Sequence, residues 1–211
     1  MGLFRGVMTT RRYRVHGEIP DDFREVYQDG LEQNAFHEPT SSVYEGESIG
    51  WTHQQNLLNT DFSDLNCWLY NHYLVAAMRV DKKVLPGKLF SAHLNKRVHD
   101  WCRTQGQDRA PSRVVSDIKE ALKQEMLMQT LPRVQLYEFC WHIVDGWVIF
   151  LNTSSGANDR FRTLFRKTFG CVLMPFSPLE FLSDQPDTQS LLATQGNSDY
   201  RPQSRDSKEA L

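Results

Sequence analysis

The chain has 211 residues, 40% of them apolar and 24% charged, with a formal net charge of −2, enough to bury a core as one domain or two small ones. Its uninterrupted apolar runs, such as Trp147 to Leu151, are far too short for a membrane-spanning helix, so no membrane partner is expected. Cys67, Cys102, Cys140 and Cys171 are scattered without a CxxC pair and read as reduced thiols of a cytoplasmic protein.

The N-terminus, MGLFRGVMTTRRYR, lacks the apolar core of a signal peptide, and Gly6 stands where a myristoylation signal has Ser or Thr. Leu3 to Val15 is expected as a strand. Pro20, followed by Asp21, Asp22 and Glu25, starts a helix running to about Asn34, with Phe23, Val26, Tyr27 and Leu31 as its apolar stripe. His37 to Thr60 reads as loop with a short strand at Ile49-Gly50-Trp51, and Cys67 to Val80 as one long strand.

Two helices follow. The first, from about Lys88 to Arg103, carries Leu94, Val98, Trp101 and Cys102 on one side and stops before Gly106. The second opens at Pro111 with Val115, Ile118, Leu122 and Met126 at spacings of three and four, and the pair form a helical hairpin at about 86–130. Beyond Pro132, strands Val134 to Val144 and Trp147 to Asn152 flank the turn pair Asp145-Gly146. A third helix, Ala157 to Phe169, is capped by Ser154 or Ser155, has the stripe Phe161, Leu164, Phe165 and Thr168, and ends at Gly170. Cys171 to Met174 is a last short strand. Residues 177–211 are polar, with little periodicity, and are expected to form a disordered tail. The order describes one α+β domain over 1–176: a mixed or antiparallel sheet with packed helices and an inserted helical hairpin.

Charge is distributed unevenly along this order. The net charge is −6 over Met1 to Asp81, +7 over Lys82 to Lys167 and −3 over Thr168 to Leu211. A basic middle between acidic flanks attracts polyanions, or else solvates helix faces. Lys88, Lys96, Arg97 and Arg103 on the first hairpin helix, and Arg113, Lys119 and Lys123 on the second, are candidates for phosphate contact. The alternative for them is pairing with Asp117, Glu120 or Glu125. On the third helix Arg160, Arg162, Arg166 and Lys167 flank the apolar stripe, and only Asp159 offsets them. Arg133, at the joint between helix and strand, either faces a polyanion, caps helix carbonyls or pairs with a carboxylate.

Motifs for chemistry are sparse. The histidines are dispersed, the nearest pair being His93 and His99, so no metal or other cofactor is expected. Asp81-Lys82-Lys83, with Asp61 and Asp64 upstream, is the best candidate for a Mg²⁺-dependent nuclease, in which Asp81 would hold the ion and Lys83 would sit near the attacking water. No nucleophile elbow, phosphate-binding loop or dinucleotide fingerprint occurs. Zinc fingers, ribonucleoprotein-type aromatic motifs and a clear helix-turn-helix are also lacking, so DNA would be held by its backbone without base reading.

The segment from Glu125 to Leu131-Pro132-Arg133, followed by strands and a helix, resembles the recombination-associated RdgC family. So do Leu3-Phe4-Arg5-Gly6-Val7, the helix end at Ala35-Phe36, Gly50-Trp51, Val84-Leu85-Pro86, Trp141 to Gly146, and Leu164 to Gly170. The resemblance covers roughly Leu3 to Phe176. It implies a cytoplasmic, nucleoid-associated, non-enzymatic protein that binds duplex DNA with little sequence preference. It also implies a dimeric ring with a basic interior, antagonism of RecA filaments and contact with recombination proteins; Arg133 would then stand near the DNA-facing side. The sequence departs from the family in two ways. The second half that helps close the family's ring has no counterpart after Phe176, and Tyr137 stands where many members have a second arginine. A simpler dimer or a partner-dependent assembly is therefore expected in place of a closed ring, and a protein-interaction module that kept the fold and lost DNA binding is the alternative.

Overall fold

The computed structural model describes residues 3, 8–39 and 46–176. Among them are seven strands: β1 (Arg11–His16), β2 (Glu47–Thr52), β3 (Leu69–Tyr70), β4 (Tyr73–Lys82), β5 (Arg133–His142), β6 (Trp147–Phe150) and β7 (Val172–Pro175). The four helices are α1 (Phe23–Gln33), α2 (Gly87–Gln105), α3 (Ser112–Gln129) and α4 (Ser155–Phe169). The strands form one antiparallel sheet in the order β2-β4-β5-β6-β1-β7, with β3 folded back on β4. The expected α+β class with an inserted helical hairpin is the observed one.

Strand alternation divides the side chains between two faces. Tyr13, Trp51, Ala76, Met78, Phe139, Trp141, Val148 and Phe150 point to one side, where α1 and α4 cover them. The stripe expected on α4 is buried in full: Phe161, Leu164, Phe165 and Thr168 all face the sheet, and Phe161 stacks on Phe150 with centroids 4.2 Å apart. Two glycines permit this closeness. A Cβ on Gly30 would lie 2.4 Å from the Thr168 carbonyl oxygen, and one on Gly50 would lie 2.4 Å from the Phe36 Cα. Gly50-Trp51 is thus a packing pair: the glycine admits the Phe36 backbone, and the Trp51 indole, fully buried, donates to Thr168 Oγ1 at 2.7 Å.

The hairpin is different. No residue of α2 is buried, and α3 buries only Leu122 and Leu127. Two helices that cover each other and little else leave their stripes half-exposed. Gly106 closes α2 in the left-handed conformation (φ 64°), as its position predicts. At the root, the Lys83 ammonium donates to the Leu127 carbonyl at 2.7 Å, tying the chain that enters the hairpin to the helix that leaves it.

The expected single strand over Cys67 to Val80 is corrected. A short 3₁₀ turn (Leu65–Cys67) and β3 precede a tight reversal at Asn71, whose φ of 54° is left-handed, and β4 begins at Tyr73. Asn tolerates that conformation better than most residues, and it sits inside an apolar run that hides the break. β5 ends at His142, two residues before the expected Val144, because Ile143–Gly146 form the turn to β6 with Gly146 at φ 65°. Ser154 starts α4 without a side-chain cap; Asn158 instead donates to the Ser154 and Asn152 carbonyls. The family-like Leu3 to Val7 segment (apart from Leu3) and the expected tail lie outside the described residues.

Candidate nucleic-acid interface

α4 docks through its apolar stripe, which leaves Arg162, Arg166 and Lys167 exposed on its outer flank. With Asp159, Thr163, Val172 and Leu173 they line an open concavity of about 560 Å³ beside the edge strand β7. None of the three cations forms an ion pair with a described residue, and Asp159 is the only carboxylate in the lining. β1 supplies a further charge. Tyr13 is buried under α4 and donates to Asn158 Oδ1, fastening β1 to the first turns of the helix. Burial raises the Tyr13 pKa, and the charges of Arg11 and Arg162 pull against that rise, which places both guanidinium groups near the same phenol.

Arg11, Arg12 and Arg14 were not singled out from the sequence. The signal available was three arginines in four residues, RRYR, around an aromatic that alternation sends inward. Arg11 shares Tyr13's side of the sheet, whereas Arg12 and Arg14 project from the opposite side, and all three are exposed.

A second cationic cluster surrounds Glu47. Its carboxylate takes two hydrogen bonds from Arg160, at 2.7 and 2.8 Å, and one from Lys82 at 3.0 Å. These bonds, led by Arg160, hold the Glu47 pKa down to about 2. Arg133 pairs in register with Lys82 and is exposed, so it joins this cluster at the root of the hairpin. Arg160 is committed to Glu47, unlike its three neighbours on α4.

The hairpin candidates spread along its length. Lys88, Lys96, Arg103, Arg113 and Lys119 are exposed; Arg97 bonds Glu125 across the two helices, and Lys123 is half-buried and partnered. The predicted cations therefore form three groups: the α4 flank, the Glu47 cluster and the hairpin.

The residues of the expected nuclease arrangement are engaged within the fold. Asp81 is buried at 4% exposure, and its two oxygens accept from Arg79 Nε and Nη2 at 2.8 and 2.6 Å. Arg79 is held further by the Leu57 carbonyl and by the face of Phe36, 4.1 Å from its ring centre. Lys83 is engaged by Leu127, while the Ser63 side chain and amide at Asp61, and the Asn66 amide at Asp64, lower both pKa values within local turns. Asp81 is buried and already neutralised by the guanidinium bonded to both its oxygens, and that fixed positive charge opposes a metal cation beside it. No group of three or more His, Cys, Asp or Glu placed to hold a metal ion occurs among the described residues.

A family model described as "Putative exonuclease, RdgC" matches residues 8–190. The chain belongs to the RdgC family. The match extends beyond the similarity seen up to Phe176 and begins after the Leu3-Phe4-Arg5-Gly6-Val7 motif. No curated protein matches the sequence. Membership in RdgC carries a recombination-related, DNA-associated role at the level of the family, and no helix among the described residues is long and apolar enough to cross a membrane.

Proposed function

We propose that this RdgC-family protein binds duplex DNA through its phosphate backbone, without catalysis, and modulates recombination by occupying DNA that RecA would otherwise use. The observation that carries the reading is the unpaired set of Arg162, Arg166 and Lys167 beside β7, with Arg11 close by and a single carboxylate in the lining. Cations that have no internal partner keep their charge available to an external anion. Lys88, Lys96, Arg103, Arg113 and Lys119 extend the positive surface along the hairpin, and Arg133 with Lys82 continues it at the root. The exonuclease in the family's printed description has no support from the Asp81 arrangement.

Reversing two of these charges tests the reading. An Arg162→Glu/Arg166→Glu variant is expected to weaken duplex binding more than tenfold at fixed salt, measured by fluorescence anisotropy, and to lose any inhibition of RecA strand exchange. Both side chains are exposed, so the fold should persist. Unchanged affinity would show that α4 is not the contact surface.

The reading also expects a dimer, and α2 offers a surface for it: no residue of α2 is buried, and its stripe of Leu94, Val98, Trp101 and Cys102 is left half-exposed beside α3. We assign that stripe to a second copy of the chain, so that the hairpin makes a dimer and α4 meets DNA. Loss of the dimer in a Val98→Asp/Trp101→Asp variant, read by sedimentation, with affinity for a short duplex retained, is the expected pattern.

A further inference from the structure

The two edges of the sheet are finished differently. Along β2 the residues after α1 close the edge: the Trp51 amide donates to the Asn34 carbonyl at 2.9 Å, and the Trp51 carbonyl accepts from the Phe36 amide at 2.8 Å. At the other end, β7 pairs with β1 alone among the described residues. The register says which of its groups are left over. The Val15 amide donates to the Gly146 carbonyl on the β6 side, away from β7. Val15 and its partner Leu173 are therefore a non-hydrogen-bonded pair, and Leu173 turns both its amide and its carbonyl to the open edge. The Leu173 side chain is 1% exposed, so this edge is anchored in the core.

An unpaired edge is a template for another strand, and proteins commonly blunt it with charge on the strand itself. β7 has no charged residue. The charge lies beside it instead: Arg162, Arg166 and Lys167 of α4 share one concavity with Val172 and Leu173, against the single carboxylate of Asp159. Val172 and Met174, which alternate with Leu173, project from the other face and are 38% and 45% exposed. A peptide strand added here would meet cations on one face and apolar side chains on the other. Carboxylates two residues apart on a strand are about 6.8 Å apart, close to the ~6 Å between Arg162 and Arg166, four residues apart on α4. A second copy of β7 fits poorly, since edge-to-edge pairing would bring two sets of three cations together. Duplex DNA can use the cations but neither the Leu173 backbone groups nor the apolar pair.

We infer that β7 accepts an acidic segment of a partner protein as an added antiparallel strand, its carboxylates alternating with apolar residues. The carboxylates pair with Arg162, Arg166 and Lys167, the apolar residues cover Val172 and Met174, and backbone bonds run to Leu173. The regulatory consequence rests on the duplex reading of the same cations: segment and duplex exclude each other, so a partner carrying such a segment would release DNA from α4.

The test uses the full chain and a labelled peptide of alternating glutamate and valine, capped at both ends and about eight residues long, enough to span β7. Binding is read by fluorescence anisotropy. Antiparallel addition points the glutamate amides at β7, so methylating those nitrogens is expected to abolish binding, and methylating the valine amides to leave it unchanged. Arg162→Glu/Arg166→Glu should weaken peptide binding more than tenfold, and lysine in place of glutamate in the peptide should abolish it. Equal tolerance of the two methylated peptides, or affinity untouched by the charge reversal, overturns the inference. Failure of the wild type to bind the peptide overturns it too, whatever the duplex result. Unlabelled peptide should then displace a labelled duplex. Peptide binding that passes the methylation test without displacing duplex would support the strand site and place duplex elsewhere than α4. A dimer that the peptide disperses, read by sedimentation, would give the edge to a second copy and overturn the inference.

Discussion

Asp81 and Glu47 are both salt-bridged carboxylates, yet they do different things. Asp81 and Arg79 are enclosed between the sheet and the segment containing Leu57, and every described contact of the guanidinium is internal. Removing one partner of such a pair leaves a buried charge uncompensated, so Asp81→Ala should destabilise the protein by about 3–5 kcal/mol in urea unfolding. A loss of any activity in that variant would consequently report on folding and not on a metal site. Glu47 is nearer the surface. Its pKa lies below the unfolded value of 4.5, so its stabilisation is fully present above that value and is lost as pH falls towards about 2. Glu47→Gln should cost about 1–2 kcal/mol at neutral pH, water screening keeping it under the full linkage value. The difference from wild type should shrink below pH 4.5 and vanish near pH 2; a pH-independent difference would mean that Glu47 acts through packing. The same substitution frees Arg160, and a gain in duplex affinity is the corollary.

At the scale of elements, α4 and the α2–α3 hairpin show how the same amphipathic pattern gives two outcomes. The α4 stripe meets a sheet face already lined by Phe139, Trp141 and Phe150, and seven of its residues are buried. The α2 stripe meets only another helix. Phe161→Ala should therefore cost about 3–5 kcal/mol, as for other large aromatics in closed cores. Val98→Ala on α2 should cost under about 1 kcal/mol in the monomer, surface positions being tolerant. Periodicity revealed both stripes but not what covers them, because coverage is decided by elements distant in sequence. The β3–β4 reversal escaped for a related reason. Leu69, Leu74, Val75 and Ala76 read as one apolar run, and the turn depends on Asn71 alone adopting a left-handed conformation. The bounds of α2, α3 and α4 were more legible, since Gly106, Pro111 and Gly170 each act through local backbone chemistry, whereas α1 begins at Phe23, three residues after the expected Pro20.

For the molecule as a whole, the charge asymmetry along the sequence located the basic third but could not sort its members. Arg160 and Arg162 are two residues apart on one helix; the first is tied to Glu47 and the second faces outward. That division follows from Glu47 arriving on β2, more than a hundred residues earlier. RRYR lay in the acidic third by count and was passed over, although folding brings Arg11 beside α4. Family resemblance pointed to DNA, and the fold supplies a surface on which that expectation can be placed.

Binding of unrelated labelled duplexes across a salt series tests the central claim most directly, with the Arg162→Glu/Arg166→Glu variant in parallel. The account predicts a steep loss of affinity with salt, alike for all sequences, at a log–log slope of about −0.9 per phosphate contacted. The variant should bind more weakly and its slope should be shallower by about 2, one contact for each arginine reversed. A wild type that fails to bind duplex at low salt, or a variant with an unchanged slope, would contradict it.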